Sequence, residues 1–116
     1  MWLIISAIFG CAGVFLGAFG AHGLAGKVSP ERLAAWSTAA HYQLIHTVAL
    51  LALALYGKSA ARSVSLPAIL FTAGIVLFSG SIYLLVVTDQ KWLGPITPIG
   101  GLCFAAGWLS LLTLAR

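Results

Sequence analysis

Charged residues are scarce in this sequence. Only 7% of the 116 residues are Asp, Glu, Lys or Arg, and two of them are acidic, whereas an ordinary soluble domain carries about 25% charged residues. Hydrophobic residues make up 61% of the chain. A soluble fold of this size needs more charge to cover its surface, but a surface that faces lipid does not. The composition therefore excludes an ordinary soluble domain and indicates a membrane protein.

Cysteine clusters and paired carboxylates are also lacking, which removes several kinds of chemistry. Cys11 and Cys103 lie in apolar segments with no Cys or His at ligand spacing, so neither a disulfide framework nor a structural zinc site is predicted. No nucleophile, base and orienting group occur together. The cations stand singly and form no basic stripe of the kind that binds nucleic acid. We therefore predict that the protein is not an enzyme and binds no nucleic acid.

Four long uncharged segments separate the eight charges. They comprise residues 1–26, 33–57, 63–88 and 92–115, and a helix needs about 20 mostly apolar residues to cross a hydrocarbon core of about 30 Å. The sequence predicts a single all-α domain over residues 1–116, an integral membrane up-and-down bundle of four transmembrane helices with short loops. The predicted spans are residues 2–23, 35–56, 66–87 and 98–114.

Glycines form a stripe along the first span. Gly10, Gly13, Gly17 and Gly20 are spaced by three or four residues, which places them on one face of a helix. Small residues let helices approach closely, and in lipid close packing is a main source of helix association. The stripe predicts a helix-packing surface, either inside the bundle or between two copies of the chain.

Two segments carry the signals of a helix start. Ser29 precedes Pro30, and Thr97 precedes Pro98. A Ser or Thr hydroxyl accepts hydrogen bonds from the free N–H groups of a first turn, where proline is tolerated. We predict capped helices that open at Pro30 and Pro98.

Polar residues inside the spans are the candidate functional residues, because a polar group in lipid is costly and needs a partner. Gln43 and His46 are three residues apart and share a helix face, whereas His41 points elsewhere and is predicted near the headgroups. We predict that His22 meets Gln43 and His46 across the first two helices, in the half of the bundle that the loop before Thr97 closes. The candidate site residues, which can gather in that half, are His22, Gln43, His46, Ser79, Ser81 and Thr97.

These polar residues leave three roles open. They can hydrogen-bond between helices as purely structural groups. They can instead form a ligand pocket, since two histidines from facing helices can bind a metal ion or the axial positions of a haem, and a quinone or another small amphiphile also fits a polar pocket. The residues name neither a metal nor a cofactor. The third role is a small transporter or channel, although no span interior contains the acid that proton-coupled cation exporters use.

Four segments together carry a family resemblance: residues 17–24 (GAFGAHGL), 42–46 (YQLIH), 77–84 (LFSGSIYL) and 94–101 (GPITPIGG). In this order they resemble the YgdD/YwdK-like family of small inner-membrane proteins of unknown function, over nearly the whole chain. The resemblance implies a four-helix inner-membrane protein and no particular biochemical activity.

The expected role is that of an accessory or assembly component in the lipid bilayer. With almost no mass outside the membrane, partners have to be met through helix faces, either in a homo-oligomer or in a larger membrane complex. The expected location is the bacterial inner membrane. Lys58, Arg62 and Arg116 share one side with both termini, and the two cations in one very short loop favour the cytoplasm for that side.

Overall fold

Four helices, each long and apolar enough to cross a membrane, make up nearly all of the chain. The structure, a computed structural model, describes residues 1–115, so that Arg116 lies outside the described residues, and these contain no strand. The predicted all-α membrane fold is confirmed, and the helices overlap all four predicted spans. In chain order the helices are Trp2–Leu24, Pro30–Ala60, Ser65–Thr88 and Lys91–Leu114.

The first and third helices each contain a wider π-helical turn, and the fourth has 3₁₀ turns at both ends. A π turn inserted into an α-helix is rare and frequently marks a functional position. The segments of the first helix are Trp2–Phe19 (α) and Gly20–Leu24 (π). Those of the third are Ser65–Gly74 (α), Ile75–Ser79 (π) and Gly80–Thr88 (α). Those of the fourth are Lys91–Leu93 (3₁₀), Ile96–Ser110 (α) and Leu111–Leu114 (3₁₀).

One of the two predicted helix starts is confirmed and the other is wrong. The Ser29 hydroxyl accepts a hydrogen bond from the backbone N–H of Arg32 at 3.2 Å, one residue before the second helix begins. Thr97 instead lies inside an α-helical segment that begins at Ile96. Its hydroxyl is 2.5 Å from that of Ser81 on the third helix, so this side chain joins two helices rather than capping one.

The second and third helices form the centre of a flattened bundle. The first helix packs on the second, the second on the third, and the third on the fourth, and the Cα atoms extend over 48 × 26 × 17 Å. In the most apolar windows of the two central helices, 44% and 39% of residues are buried, against 17% in each outer helix. The outer helices therefore present most of their surface to lipid.

Two apolar clusters occupy the two ends of the bundle. The end that carries Met1, the end of the second helix and the start of the third is called the Lys58 end below, and the opposite end is called the Asp89 end. Trp36, Ile82 and their neighbours form the core toward the Asp89 end. Phe71 and Phe104 belong to the core toward the Lys58 end.

Candidate functional site

A buried polar layer separates the two apolar clusters at mid-depth. It consists of Gln43, His46 and Thr47 on the second helix and Ser79 on the third, and each is at most 6% exposed. The apolar side chains around Trp36 lie one to two helical turns nearer the loop before Thr97 than Gln43 does. Of the candidate site residues, Ser81 and Thr97 meet beside that loop.

Gln43 connects three helices through its amide group. Its Nε2 donates a hydrogen bond to the carbonyl oxygen of Phe9 on the first helix at 2.9 Å. Its Oε1 accepts one from the hydroxyl of Tyr83 on the third helix at 2.7 Å. With 3% of its surface exposed, the side chain has exchanged water for protein partners, as a buried amide must. Gln43 therefore sets the relative positions of the first, second and third helices.

His46 is held by hydrogen bonds at both ring nitrogens. The indole N–H of Trp108 donates to Nε2 at 3.0 Å, and Nδ1 lies 2.8 Å from the carbonyl oxygen of Tyr42. An indole N–H only donates and a carbonyl only accepts, so Nδ1 carries the proton and the imidazole is neutral. The ring also stacks on Phe104, with centroids 3.7 Å apart. In this arrangement neither nitrogen offers a lone pair to a metal ion or a haem iron.

The remaining polar residues also have hydrogen-bond partners within the protein. The hydroxyl of Ser79, the last residue of the π turn of the third helix, donates to the carbonyl oxygen of Ala39 on the second helix at 2.7 Å. Ser81 pairs with Thr97, and Thr47 donates to the carbonyl oxygen of Gln43 at 2.6 Å. The exception within residues 1–115 is Thr72, whose buried hydroxyl has no partner. The polar layer is thus satisfied by the protein itself.

His22 does not take part in this layer. Along the interface of the first two helices, Gly10 faces Thr47 and Gly20 faces Trp36. His22 lies beyond Gly20, in the π turn at the Asp89 end, and is exposed. Twelve residues separate it from Gly10, which corresponds to about 18 Å along a helix. The predicted meeting of His22 with Gln43 and His46 is therefore not formed, because the antiparallel register places them at different depths.

The glycine stripe of the first helix faces the second helix. A Cβ atom at Gly13 would lie 2.7 Å from the Leu44 side chain, and one at Gly20 would lie 2.5 Å from Trp36. The same two helices exchange a further bond, from the Trp36 indole N–H to the carbonyl oxygen of Leu16 at 2.7 Å. The stripe was predicted to pack either inside the bundle or between two copies of the chain. In this structure it packs inside the bundle.

A second glycine interface, between the third and fourth helices, is not among the sequence-based predictions. Phe104 lies against Gly74, and Phe71 lies against Gly107, so each helix inserts a phenyl ring where the other has no side chain. Gly100 makes the closest approach, since a Cβ there would lie 2.2 Å from the backbone nitrogen of Phe78. The sequence does contain a signal for this interface, because Gly100, Phe104 and Gly107 are spaced so that they share one face of a helix.

Metal-binding groups are sparse in the described part of the chain. Within residues 1–115 no three His, Cys, Asp or Glu side chains lie close enough to hold a metal ion together. Cys11 and Cys103 are both free thiols, and Cys11 is exposed on the outer face of the first helix.

Arg32 and Asp89 form an exposed ion pair at the Asp89 end, which joins the start of the second helix to the end of the third.

Comparison with known proteins identifies the family. Residues 16–101 match the family described as protein of unknown function (DUF423). The UPF0382 membrane protein SAB0533 of Staphylococcus aureus (strain bovine RF122 / ET3-1) is 44% identical over 112 residues, which cover 97% of this chain and 92% of that protein. The UPF0382 membrane protein YwdK of Bacillus subtilis (strain 168) is 42% identical over 117 residues, which cover 99% of this chain and 95% of that protein.

These matches agree with the predicted family resemblance and with the membrane fold. No solved structure matches the chain. The relatives are named as membrane proteins, and the matches indicate no enzyme family. The chain belongs to the DUF423 family, whose members include bacterial membrane proteins of the UPF0382 group.

Proposed function

We propose that this protein is a non-enzymatic accessory or assembly component of the bacterial inner membrane that acts through contacts of its helices, as a homo-oligomer or as a subunit of a larger membrane complex. The observation that carries the proposal is the closed polar layer. Gln43 and His46 use their hydrogen-bonding groups within the protein: three of the four bonds go to neighbouring helices, and the fourth joins His46 to the Tyr42 carbonyl on its own helix. The interior therefore holds the helices in register and leaves little for substrate chemistry.

The shape of the molecule supports action through helix faces. Between the four helices lie connections of five, four and two residues, namely 25–29, 61–64 and 89–90, and these are too short to form a binding domain. The outer helices expose large apolar side chains along their lengths, including Phe15 and Leu102 at 70% and 71% exposure. A protein partner has to be met at such faces. Lys58 in the last turn of the second helix and Arg62 in the connection that follows favour the cytoplasm for both termini.

Site-specific photocrosslinking in native membranes tests this proposal. A benzophenone amino acid replaces Phe15 on the first helix or Leu102 on the fourth, both on outer faces, and the cells are irradiated. We expect a discrete adduct from at least one position, at twice the 12.1 kDa chain mass or at the mass of a larger complex. Samples kept in the dark are the control. Lipid adducts alone at both positions, with gently extracted protein that remains a monomer, would overturn the proposal.

The main alternative, a pocket for a metal, haem, quinone or small amphiphile around His22, Gln43 and His46, makes a different prediction. His46 would first have to release Trp108 or the Tyr42 carbonyl, because both ring nitrogens are engaged. Native mass spectrometry of protein from its own membranes distinguishes the two. A retained small molecule that is lost in His46→Ala, and kept in His41→Ala as the matched control, would replace the accessory role by a binding role.

A transporter or channel is the third candidate. It has less support, because the polar side chains buried in the described part of the bundle are uncharged and, apart from Thr72, have hydrogen-bond partners. Flux of ions and small amphiphiles into liposomes that contain the purified protein would support it, if the flux exceeds that of empty liposomes.

A further inference from the structure

A cavity of about 510 Å³ opens at the Lys58 end, between the starts of the first and third helices and the end of the second. This depth of the bundle lies in the headgroup region, because it coincides with the ends of three membrane-spanning helices. Its wall has an apolar part and a polar part. The apolar part includes Trp2, Ile4 and Val64. The polar part includes Lys58, Ser63 and Ser65.

The polar rim is built by the turn that follows the second helix. The helix ends at Ala60, and the next residue, Ala61, has φ 50°. The backbone N–H of Arg62 returns to the carbonyl oxygen of Gly57 at 3.2 Å. The next residues carry two hydroxyl groups, and that of Ser63 accepts a long hydrogen bond from the backbone N–H of Ser65, where the third helix begins. The turn is therefore folded back over the helix end, and Ser63 and Ser65, whose hydroxyls are 3.3 Å apart, both line the cavity.

Among residues 1–115, the charged side chains at this end are cationic. Lys58 is exposed and makes no hydrogen bond or ion pair with residues 1–115. Arg62 binds the carbonyl oxygen of Leu114 at 3.0 Å, so it is fastened to the end of the fourth helix. Both acidic residues of the chain, Glu31 and Asp89, lie at the opposite end. The positive ends of the dipoles of the first and third helices add to the attraction for an anion here.

The apolar wall decides which kind of anion fits. Leu3 and Ile4 of the first helix line the cavity and are 41% and 64% exposed, so the cavity continues onto a surface that faces lipid. Val64, 5% exposed, contributes to its inner wall. A soluble phosphate would use the rim alone. A phospholipid uses both parts, with its phosphate at the lysine and hydroxyls and its acyl chains along the first helix.

We propose that this cavity is a binding site for the phosphate headgroup of an anionic glycerophospholipid, with Lys58 as its main charged contact. This goes beyond the proposed accessory function and does not depend on it, because a lone monomer and an assembled subunit both carry the cavity. A bacterial membrane supplies such anions at this depth, and each cation near an anionic lipid surface strengthens attraction to it.

Native mass spectrometry of the full chain in detergent, with equal amounts of phosphatidylglycerol and phosphatidylcholine of the same acyl chains, tests the proposal. We expect one retained phosphatidylglycerol at energies that remove phosphatidylcholine. Lys58→Gln lowers the affinity for phosphatidylglycerol about five-fold, the factor expected for one lost cation near an anionic lipid. Lys58→Arg keeps binding. Lys91→Gln, which removes an equal charge at the Asp89 end, leaves binding unchanged and is the matched control.

Three results would overturn the proposal. Equal retention of the two lipids, or equal loss of binding in Lys58→Gln and Lys91→Gln, would each mean that the lipid is held by no site at Lys58. The third is displacement of phosphatidylglycerol by millimolar inorganic phosphate or glycerol phosphate, with binding of those ions that depends on Lys58. That result would make the cavity a site for soluble phosphate. Thermal unfolding of each variant verifies that the exposed substitutions leave the fold intact.

Discussion

Replacing Gly100 by alanine would place a methyl group against the backbone of the third helix. The new Cβ atom would lie 2.2 Å from the backbone nitrogen and 2.7 Å from the Cα atom of Phe78, whereas ordinary contacts of a Cβ atom begin at 3.4 Å. Since backbone atoms cannot rotate away as a flexible side chain can, the fourth helix has to withdraw by about 1 Å, the difference between these distances. That shift also loosens the nearby contact of Phe104 with Gly74.

The expected cost of this clash is large for a single methyl group. Overpacking in a tight core costs about 1–3 kcal/mol, and the substitution also gains up to about 1 kcal/mol from the higher helix propensity of alanine. Gly101→Ala is the matched control, because its Cβ would meet only the ring of Phe78 at 3.9 Å and the same α-helical segment gives it the same propensity gain. We expect Gly100→Ala to be less stable than Gly101→Ala by about 2 kcal/mol.

Equilibrium unfolding in mixed micelles with increasing SDS, followed by far-ultraviolet circular dichroism, measures this difference. Both variants need to unfold in one transition for the free energies of unfolding to be compared. If Gly100→Ala and Gly101→Ala differ by less than about 0.5 kcal/mol, a value typical of surface substitutions, the close approach of the third and fourth helices at Gly100 is not a feature of the protein.

The same unfolding assay checks three further predictions. Tyr83→Phe removes the bond to Gln43 and is expected to cost about 0.6–1.7 kcal/mol, the range for hydrogen bonds between membrane helices; combined with Gln43→Leu it should add little, and full additivity would mean that the two side chains do not interact. Ser79→Ala should cost less than Gln43→Leu, because it breaks one bond between helices and not two; the opposite order would contradict the central position given to Gln43. Asp89→Asn at the exposed pair with Arg32 is expected to cost at most about 1 kcal/mol, and a cost that persists in 1 M salt would show that the pair is not a screened surface contact.

Local patterns predicted the helices well. Four uncharged segments of sufficient length were enough to predict the spans, because crossing a bilayer imposes a length and an apolar composition on each helix separately. Ser29 was identified as a cap because capping involves only its own first turn. Thr97 has the same local signature, but its hydroxyl pairs with Ser81 on another helix. A contact between helices overrode the local preference there.

The polar residues show the limit of the same reasoning. Gln43 and His46 were recognised as unusual because buried polar groups are costly in lipid, and both are buried. Their partners on other helices are Phe9, Tyr83 and Trp108. Phe9 contributes a backbone carbonyl, which every residue has, and the chain contains three tyrosines and four tryptophans. The sequence contains no information that selects among them without the register of the helices.

The sequence by itself determined that this chain is a four-helix membrane protein of the family to which its segments point, and which of its residues are too polar to face lipid. The tertiary structure decided which of those residues meet. The antiparallel register of the first two helices places His22 about 18 Å along the axis from the level of His46, and the glycine contacts at Gly74, Gly100 and Gly107 set the position of the fourth helix. The reason is physical: composition acts on each helix alone, whereas register depends on how the side chains of two helices fit together.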